Sequence, residues 1–260
     1  MNQLDELESN TVIWRYLSFE KFCALVSFRA LWFAKLGIFQ DIEEGSTPAL
    51  ARRALKAQHH QIETWFADEE LRGQVRRFIE DNEASGRDMI VASCWFIGED
   101  ESRRMWNEYA KDANSVAICS TVGALTRSLT QTLPNKWWIG RVKYIDRETY
   151  EGMNAYTGSQ ANLRAFLKGL PFAHENELRV ATMNFVVTGC LNPDGSPPTE
   201  KQQRGYIDAT NGPGIYVAAD LNVLVSEIQT APGADDIHKE LVETMLRSAN
   251  CTAVVRQSAL

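Results

Sequence analysis

The chain has 260 residues, 44% hydrophobic and 23% charged, with a net charge of -7. That length supplies an ample core, and the acidic balance disfavours non-specific binding to nucleic acid or anionic membranes, which needs clustered Lys and Arg. No apolar run approaches the roughly 20 residues of a membrane helix, and the polar, acidic first ten residues carry no secretory signal. The five cysteines are scattered, none with metal-ligand spacing, and are expected to be reduced, buried thiols of a cytoplasmic protein without a membrane partner.

In chain order, Thr11 to Leu17 reads as a strand rich in β-branched and aromatic residues. Ser18 is a good N-cap for a helix carrying Phe19, Phe22, Leu25 and Val26 on one face. A short strand covers Ala30 to Ala34, and an acidic loop, Gly37 to Ser46, follows. Thr47-Pro48 opens a helix to about Phe66, and a second helix runs from Asp68 to Glu83, stopped by Gly86. This pair, residues 47–86, reads as a helical insertion within a single domain covering 1–260. Strands are expected at Met89 to Phe96, Val116 to Cys119, Trp137 to Ile145, Glu177 to Val187, Ile215 to Ala219 and Thr252 to Arg256. Helices are expected at Glu101 to Lys111, Thr121 to Gln131, Gln160 to Leu170, after the Asp220 cap, and at Asp236 to Ser248. Asn192 to Asn211 reads as an exposed loop, and Pro232-Gly233 as a turn. The mixed order of elements predicts an α+β fold rather than a βαβ succession.

Four segments carry residue types suited to chemistry. In the first strand, alternation puts Trp14 and Tyr16 on one face and Arg15 on the other; as core residues they would be two buried aromatics and a surface arginine. In the strand around Ser93-Cys94-Trp95, Ser93 and Trp95 share a face, where a hydroxyl orients and an aromatic stacks a flat heterocycle. Cys94 lies opposite, with no activating base in view. On the helix Glu101 to Lys111, Ser102, Trp106 and Tyr109 follow i, i+4, i+7 spacing; the plain alternative is a helix burying Met105, Trp106 and Tyr109 against the sheet. The fourth segment is Glu175-Asn-Glu177-Leu-Arg179. Read as one strand, it places Glu175, Glu177 and Arg179 on one face and Leu178 and Val180 on the other. Paired carboxylates suit cationic, oxocarbenium-like transition states, one stabilising charge and the other handling the acceptor. The alternative is a solvated edge salt-bridged to Lys168 and Arg179, worth little. Asp41, Glu43 and Glu44 form an acidic loop that would suit a divalent cation or simply face water.

Taken in order, these segments resemble a large bacterial family catalogued as a domain of unknown function. The resemblance rests on Trp14 to Val26, the Asp41-Ile-Glu-Glu44-Gly45 loop, Ser93 to Trp95, the Glu101-Ser-x-x-Met-Trp-x-x-Tyr109 helix, Val116 to Ile118, Val142 to Tyr144, and Lys168 with Phe172-x-x-Glu-x-Glu-x-Arg179. The loop departs from the family pattern, with Ile42 where the pattern has proline. The order of an aromatic and basic first strand, a serine-bearing middle strand and a late Glu-x-Glu is also similar to mono-ADP-ribosyltransferases. That resemblance implies a split mixed or antiparallel sheet with flanking helices, and NAD as substrate. It implies that Arg15 or Tyr16 contacts NAD, Ser93 holds the ribose, Trp95 or Tyr109 stacks on nicotinamide, Glu177 is the catalytic acid and Glu175 positions the acceptor. Ser102, Trp106 and Arg179 complete the expected cofactor-side set. The expectation is an ADP-ribosyltransferase-like bacterial toxin or phage-defence effector. It would modify a protein or nucleic-acid acceptor and answer to an antitoxin or regulatory partner. A non-catalytic nucleotide- or partner-binding sensor with Trp95 and Trp106 as anchors is the alternative. A metal-dependent nuclease using Asp41, Glu44, Glu175 and Glu177 is a third.

Overall fold

The strand-forming segments assemble into one ten-stranded sheet in the computed structural model, which describes residues 2–64, 67–74, 76–77, 87–129, 137–152, 163–183 and 212–260. Its strands are β1 (Asn2–Gln3), β2 (Val12–Leu17), β3 (Ala30–Lys35), β4 (Ile90–Ile97), β5 (Val116–Thr121), β6 (Trp137–Arg141), β9 (Glu177–Met183), β10 (Gly214–Ala218), β11 (Glu227–Thr230) and β12 (Val254–Gln257). They run in the order β1-β6-β9-β4-β2-β5-β11-β12, with β3 attached to β4 and β10 to β3. Most pairs are antiparallel; β1 with β6 and β11 with β12 are parallel. A small parallel pair, β7 (Lys143–Ile145) and β8 (Leu167–Gly169), stands apart. The fold is therefore α+β with a mostly antiparallel sheet.

The sheet forks along one edge of β4. Near the end of β4, Ile97 and Phe96 pair with Ile13 and Trp14 of β2, whereas near its start Ala92 and Val91 pair with Ala34 and Lys35 of β3. A fork leaves backbone groups without ladder partners, and these must bond elsewhere. Arg15 supplies the donors. Its guanidinium bonds to the Trp32 carbonyl of β3 at 2.9 Å and to the Ser93 hydroxyl of β4. The Trp95 indole N–H also donates to Ser93 Oγ, at 3.1 Å, and Arg15 stacks 5.6 Å from the Trp95 ring centroid.

Helices cover both faces. α1 (Phe19–Phe28), capped by Ser18, and α6 (Asp236–Ser248), capped by Asp235, pack on the face carrying Ile13, Leu17, Trp95, Ile118, Leu178, Val180 and Ile228. α4 (Val122–Ser128), capped by Thr121, and α5 (Leu221–Leu224), capped by Asp220, add Val122, Leu125, Leu221 and Leu224 to that core. The opposite face holds α3 (Arg103–Tyr109), whose Met105 and Trp106 pack on Trp14 and Tyr16. α2 (Ala49–Thr64) lies between β3 and β4 in the chain, and residues 69–74 and 76–77 are also helical. Among the described residues no helix is long and apolar enough to cross a membrane.

Several expectations need correction. Gln160 to Leu170 is not a helix over its described part: residues 163–166 form a 3-10 turn, then comes β8, then a second 3-10 segment, Leu170–Glu175. Pro171 near the start of that segment removes a donor and ends the strand. Trp137 to Ile145 splits into β6 and β7, which join different sheets. β11 was not expected. The end of the Glu177 to Val187 strand, the loop Asn192 to Asn211, and Cys190 lie outside the described residues. The other cysteines are free, Cys23, Cys94 and Cys119 half-buried and Cys251 buried.

Candidate functional site: a buried charge cluster at the start of β9

Register decides what faces what. In an antiparallel pair, directly opposed residues project to the same side. Glu177 opposes Phe96 and Arg179 opposes Cys94, while Ser93 opposes Val180 and Trp95 opposes Leu178. Trp14 opposes Phe96, which puts Trp14 and Tyr16 on the Glu177 side and Arg15 on the Ser93 side. The sheet itself separates the two sets. Ser93, Arg15 and Trp95 therefore do not share a pocket with Glu177; they close the fork from the other face. The middle-strand polar group on the Glu177 side is Cys94, which opposes Arg179 and lies within the electrostatic reach of Glu177.

Glu175 is not a strand residue. It ends the 3-10 segment, and Asn176 then takes a left-handed conformation, φ 37°. Asn176 is held there by its own side chain, which donates to the Ile97 carbonyl at 2.7 Å, and by its carbonyl, which accepts from Ile97 N–H at 2.9 Å. This turn brings Glu175 and Glu177 onto one ammonium. Lys168 Nζ lies 2.5 Å from Glu175 Oε2, 3.4 Å from Glu177 Oε2 and 3.8 Å from Glu44 Oε2. Arg179 grips both Glu177 oxygens, at 2.9 and 2.8 Å, donates to the Ala165 carbonyl at 2.6 Å, and pairs with Glu44. The cluster is buried: Arg179 is 0% exposed, Glu44 1%, and Lys168, Glu175 and Glu177 5% each. It is no solvated edge, because β9 is flanked by β4 and β6.

Glu44 reaches this interior from the loop after β3. Gly45 adopts φ +73°, and a Cβ there would lie 2.8 Å from Leu36 Cδ1, so the turn requires glycine. Arg87 Nε holds the Glu44 carbonyl at 2.7 Å. Arg147 donates to Ser46 Oγ at 3.2 Å. Asp41 stays in its own loop, accepting from the Glu43 N–H at 2.9 Å.

The electrostatics follow from counting. Three carboxylates and two cations leave one excess negative charge. Burial raises a carboxyl pKa and nearby cations lower it. At Glu177 burial is outweighed by the Arg179 charge and hydrogen bonds and by Lys168, and the pKa falls to about 2. At Glu44 burial wins over Arg179 and Lys168, and the pKa is raised. Burial, then Glu177, pushes the Cys94 thiol well up, so it is no thiolate nucleophile. Lys168 and Arg179 are both held in their charged forms, their neighbouring carboxylates outweighing burial.

Tyr109, at the end of α3, is 46% exposed and borders the cluster: burial, then the Glu175 charge, raises the pKa of its hydroxyl. Beside it, His174 Nε2 lies 2.9 Å from Glu108 Oε2. Phe172 shields Lys168, with the ammonium 5.0 Å from its ring centroid. Ser102 caps α3, accepting from the Met105 N–H at 3.4 Å. Its own N–H donates to the Tyr16 hydroxyl at 2.6 Å. Trp106 is 2% exposed and Trp95 1%, so neither is a surface anchor, and Tyr109 turns away from the buried side of the helix. Sequence alone marks Lys168 as a salt-bridge partner and Glu44 as a loop or metal residue, and gives Tyr144 no role beyond its place in the Val142 to Tyr144 segment. The Tyr144 hydroxyl accepts from Glu177 N–H at 2.9 Å. Where a nuclease metal would stand among Glu44, Glu175 and Glu177, the Lys168 ammonium stands. Among the described residues no group of three or more His, Cys, Asp or Glu side chains is arranged to hold a metal ion.

No protein-family model and no curated protein matches this sequence.

Proposed function

We propose that the protein is an ADP-ribosyltransferase-like enzyme that consumes NAD, with the acid pair at the start of β9 as its reactive centre. The observation that carries the reading is the adjacency of the strands bearing the first-strand tyrosine, the middle-strand polar residue and the Glu-x-Glu, in the order β2, β4, β9. The fork between β2 and β3 along β4 also suits the split sheet of that type. The reading uses one face only: Tyr109 at the surface, Glu175 beneath it, then Glu177, with Cys94 in the place the resemblance gives to serine. Glu177, ionised at neutral pH, stabilises positive charge on the sugar as the bond to nicotinamide breaks and its electron pair leaves with nicotinamide. Glu175 takes the proton from the incoming acceptor. Arg179 and Lys168 orient the two acids.

The test is nicotinamide release from NAD by purified full chain, with and without candidate protein and nucleic-acid acceptors. Glu175→Gln and Tyr109→Ala are the informative variants, and both are expected to lose release while remaining folded. Release undiminished in Glu175→Gln removes Glu175 from the chemistry, and no release from the wild type with any acceptor defeats the enzymatic reading.

A second reading, a non-catalytic nucleotide- or partner-binding module, is favoured by one observation: every carboxylate of the cluster already has a buried cation within ion-pair distance. It predicts a thermal shift with NAD or ADP-ribose and no turnover.

A further inference from the structure

A strand edge on the far side of the fork offers a separate surface. β10 pairs with β3 alone among the described residues. Bonds from Lys35 N–H to the Pro213 carbonyl and from Ala219 N–H to the Arg29 carbonyl, each 2.9 Å, fix which residues face β3. In an antiparallel ladder hydrogen-bonded pairs alternate. The residues bonded to β3 are thus Pro213, Ile215, Val217 and Ala219. Gly214, Tyr216 and Ala218 direct their N–H and C=O groups outward.

Edge strands in natural proteins are commonly guarded by Lys, by Pro within the strand, or by a bulge. β10 reads Gly-Ile-Tyr-Val-Ala and carries none of these. Its aromatic neighbours are exposed instead. Tyr216 is 48% and Phe28 62% exposed, and the Tyr216 ring lies 4.9 Å from Phe28 and 4.8 Å from Trp32, centroid to centroid.

We propose that β10 pairs with β10 of a second copy of this chain, antiparallel about a two-fold axis at Tyr216, so that two sheets join into one. Tyr216 then exchanges backbone bonds with its counterpart, and Gly214 exchanges them with Ala218. On the face shared by Trp32 and Tyr216, the cross-strand ladder runs Trp32, Tyr216, Tyr216 of the second copy, Trp32 of the second copy, with apolar pairs throughout. A second copy fits better than a charged partner strand. β10 holds no Asp, Glu, Lys, Arg or His, so identical strands meet without like-charge repulsion in a chain whose net charge of -7 otherwise opposes self-association. The contact is isologous and closes at the dimer.

The test is the mass of the full chain in solution, by sedimentation equilibrium across a wide concentration range. The wild type is expected to be a dimer that dissociates on dilution. Tyr216→Pro removes an outward N–H that β3 does not use, so the fold survives, and Tyr216→Lys adds the missing edge charge. Both are expected to run as monomers with unchanged circular dichroism. A wild type monomeric at every concentration, the result a foreign strand on this edge also predicts, overturns the proposal. So does a dimer that persists in Tyr216→Pro.

Discussion

Arg179→Met tests the charge count of the cluster. Arg179 is fully buried and holds Glu177 through two bonds, Glu44 and the Ala165 carbonyl. Its removal leaves three buried carboxylates facing Lys168 alone. Breaking a buried ion pair by deleting one partner costs about 3–5 kcal/mol, most of it the charge left behind. Against a total of about 5–15 kcal/mol, that loss is measurable by urea unfolding followed by tryptophan fluorescence. The sign of the pH response is the sharper readout. In the wild type Glu177 has a depressed pKa, so its stabilisation exists above its unfolded value and is lost on acidification. In Arg179→Met the stranded carboxylates have raised pKa values, so stability rises as pH falls from neutral towards about 5. Adding Glu177→Gln to Arg179→Met restores the excess charge to one and is expected to stabilise that background, while the same substitution destabilises the wild type. A loss below about 1 kcal/mol, or one insensitive to pH, would refute the view that these charges are dry and mutually dependent.

In the wild type the Glu177 contribution, on the order of 3 kcal/mol from a shift of the folded pKa to about 2, is lost between about pH 5 and pH 2. Glu44, with a raised pKa, works in the opposite sense, so Glu44→Gln should steepen the acid limb of the stability curve. Ser93→Ala removes the acceptor shared by Arg15 and Trp95; it should cost about 2 kcal/mol in denaturant unfolding yet leave nicotinamide release per folded molecule unchanged. Glu101 accepts from Trp106 Nε1, Ser258 Oγ and Ala259 N–H at 2.7, 2.6 and 2.9 Å. Glu101→Ala should therefore raise amide exchange at Ala259 by about tenfold, for a bond worth about 1–2 kcal/mol.

Local chemistry was legible in the sequence. The caps Ser18 and Asp220 start the helices expected of them, and the helix Asp236–Ser248 has the bounds its apolar spacing marks. Within β4, alternation correctly set Ser93 and Trp95 against Cys94. Within β2 it set Trp14 and Tyr16, which are buried, against Arg15. These features depend only on neighbours within a turn of helix or a few strand residues.

What tertiary structure decided was which of those faces meet. Alternation orders residues within one strand, but only the register between β4 and β9 shows that Ser93 lies across the sheet from Glu177. Whether Glu175 and Glu177 are solvated or buried depended on β9 having a neighbour on each side, and their partner Glu44 comes from a loop 135 residues before Arg179. A buried charge is tolerable only when opposite charges reach it, and those are gathered from segments whose proximity no local pattern encodes.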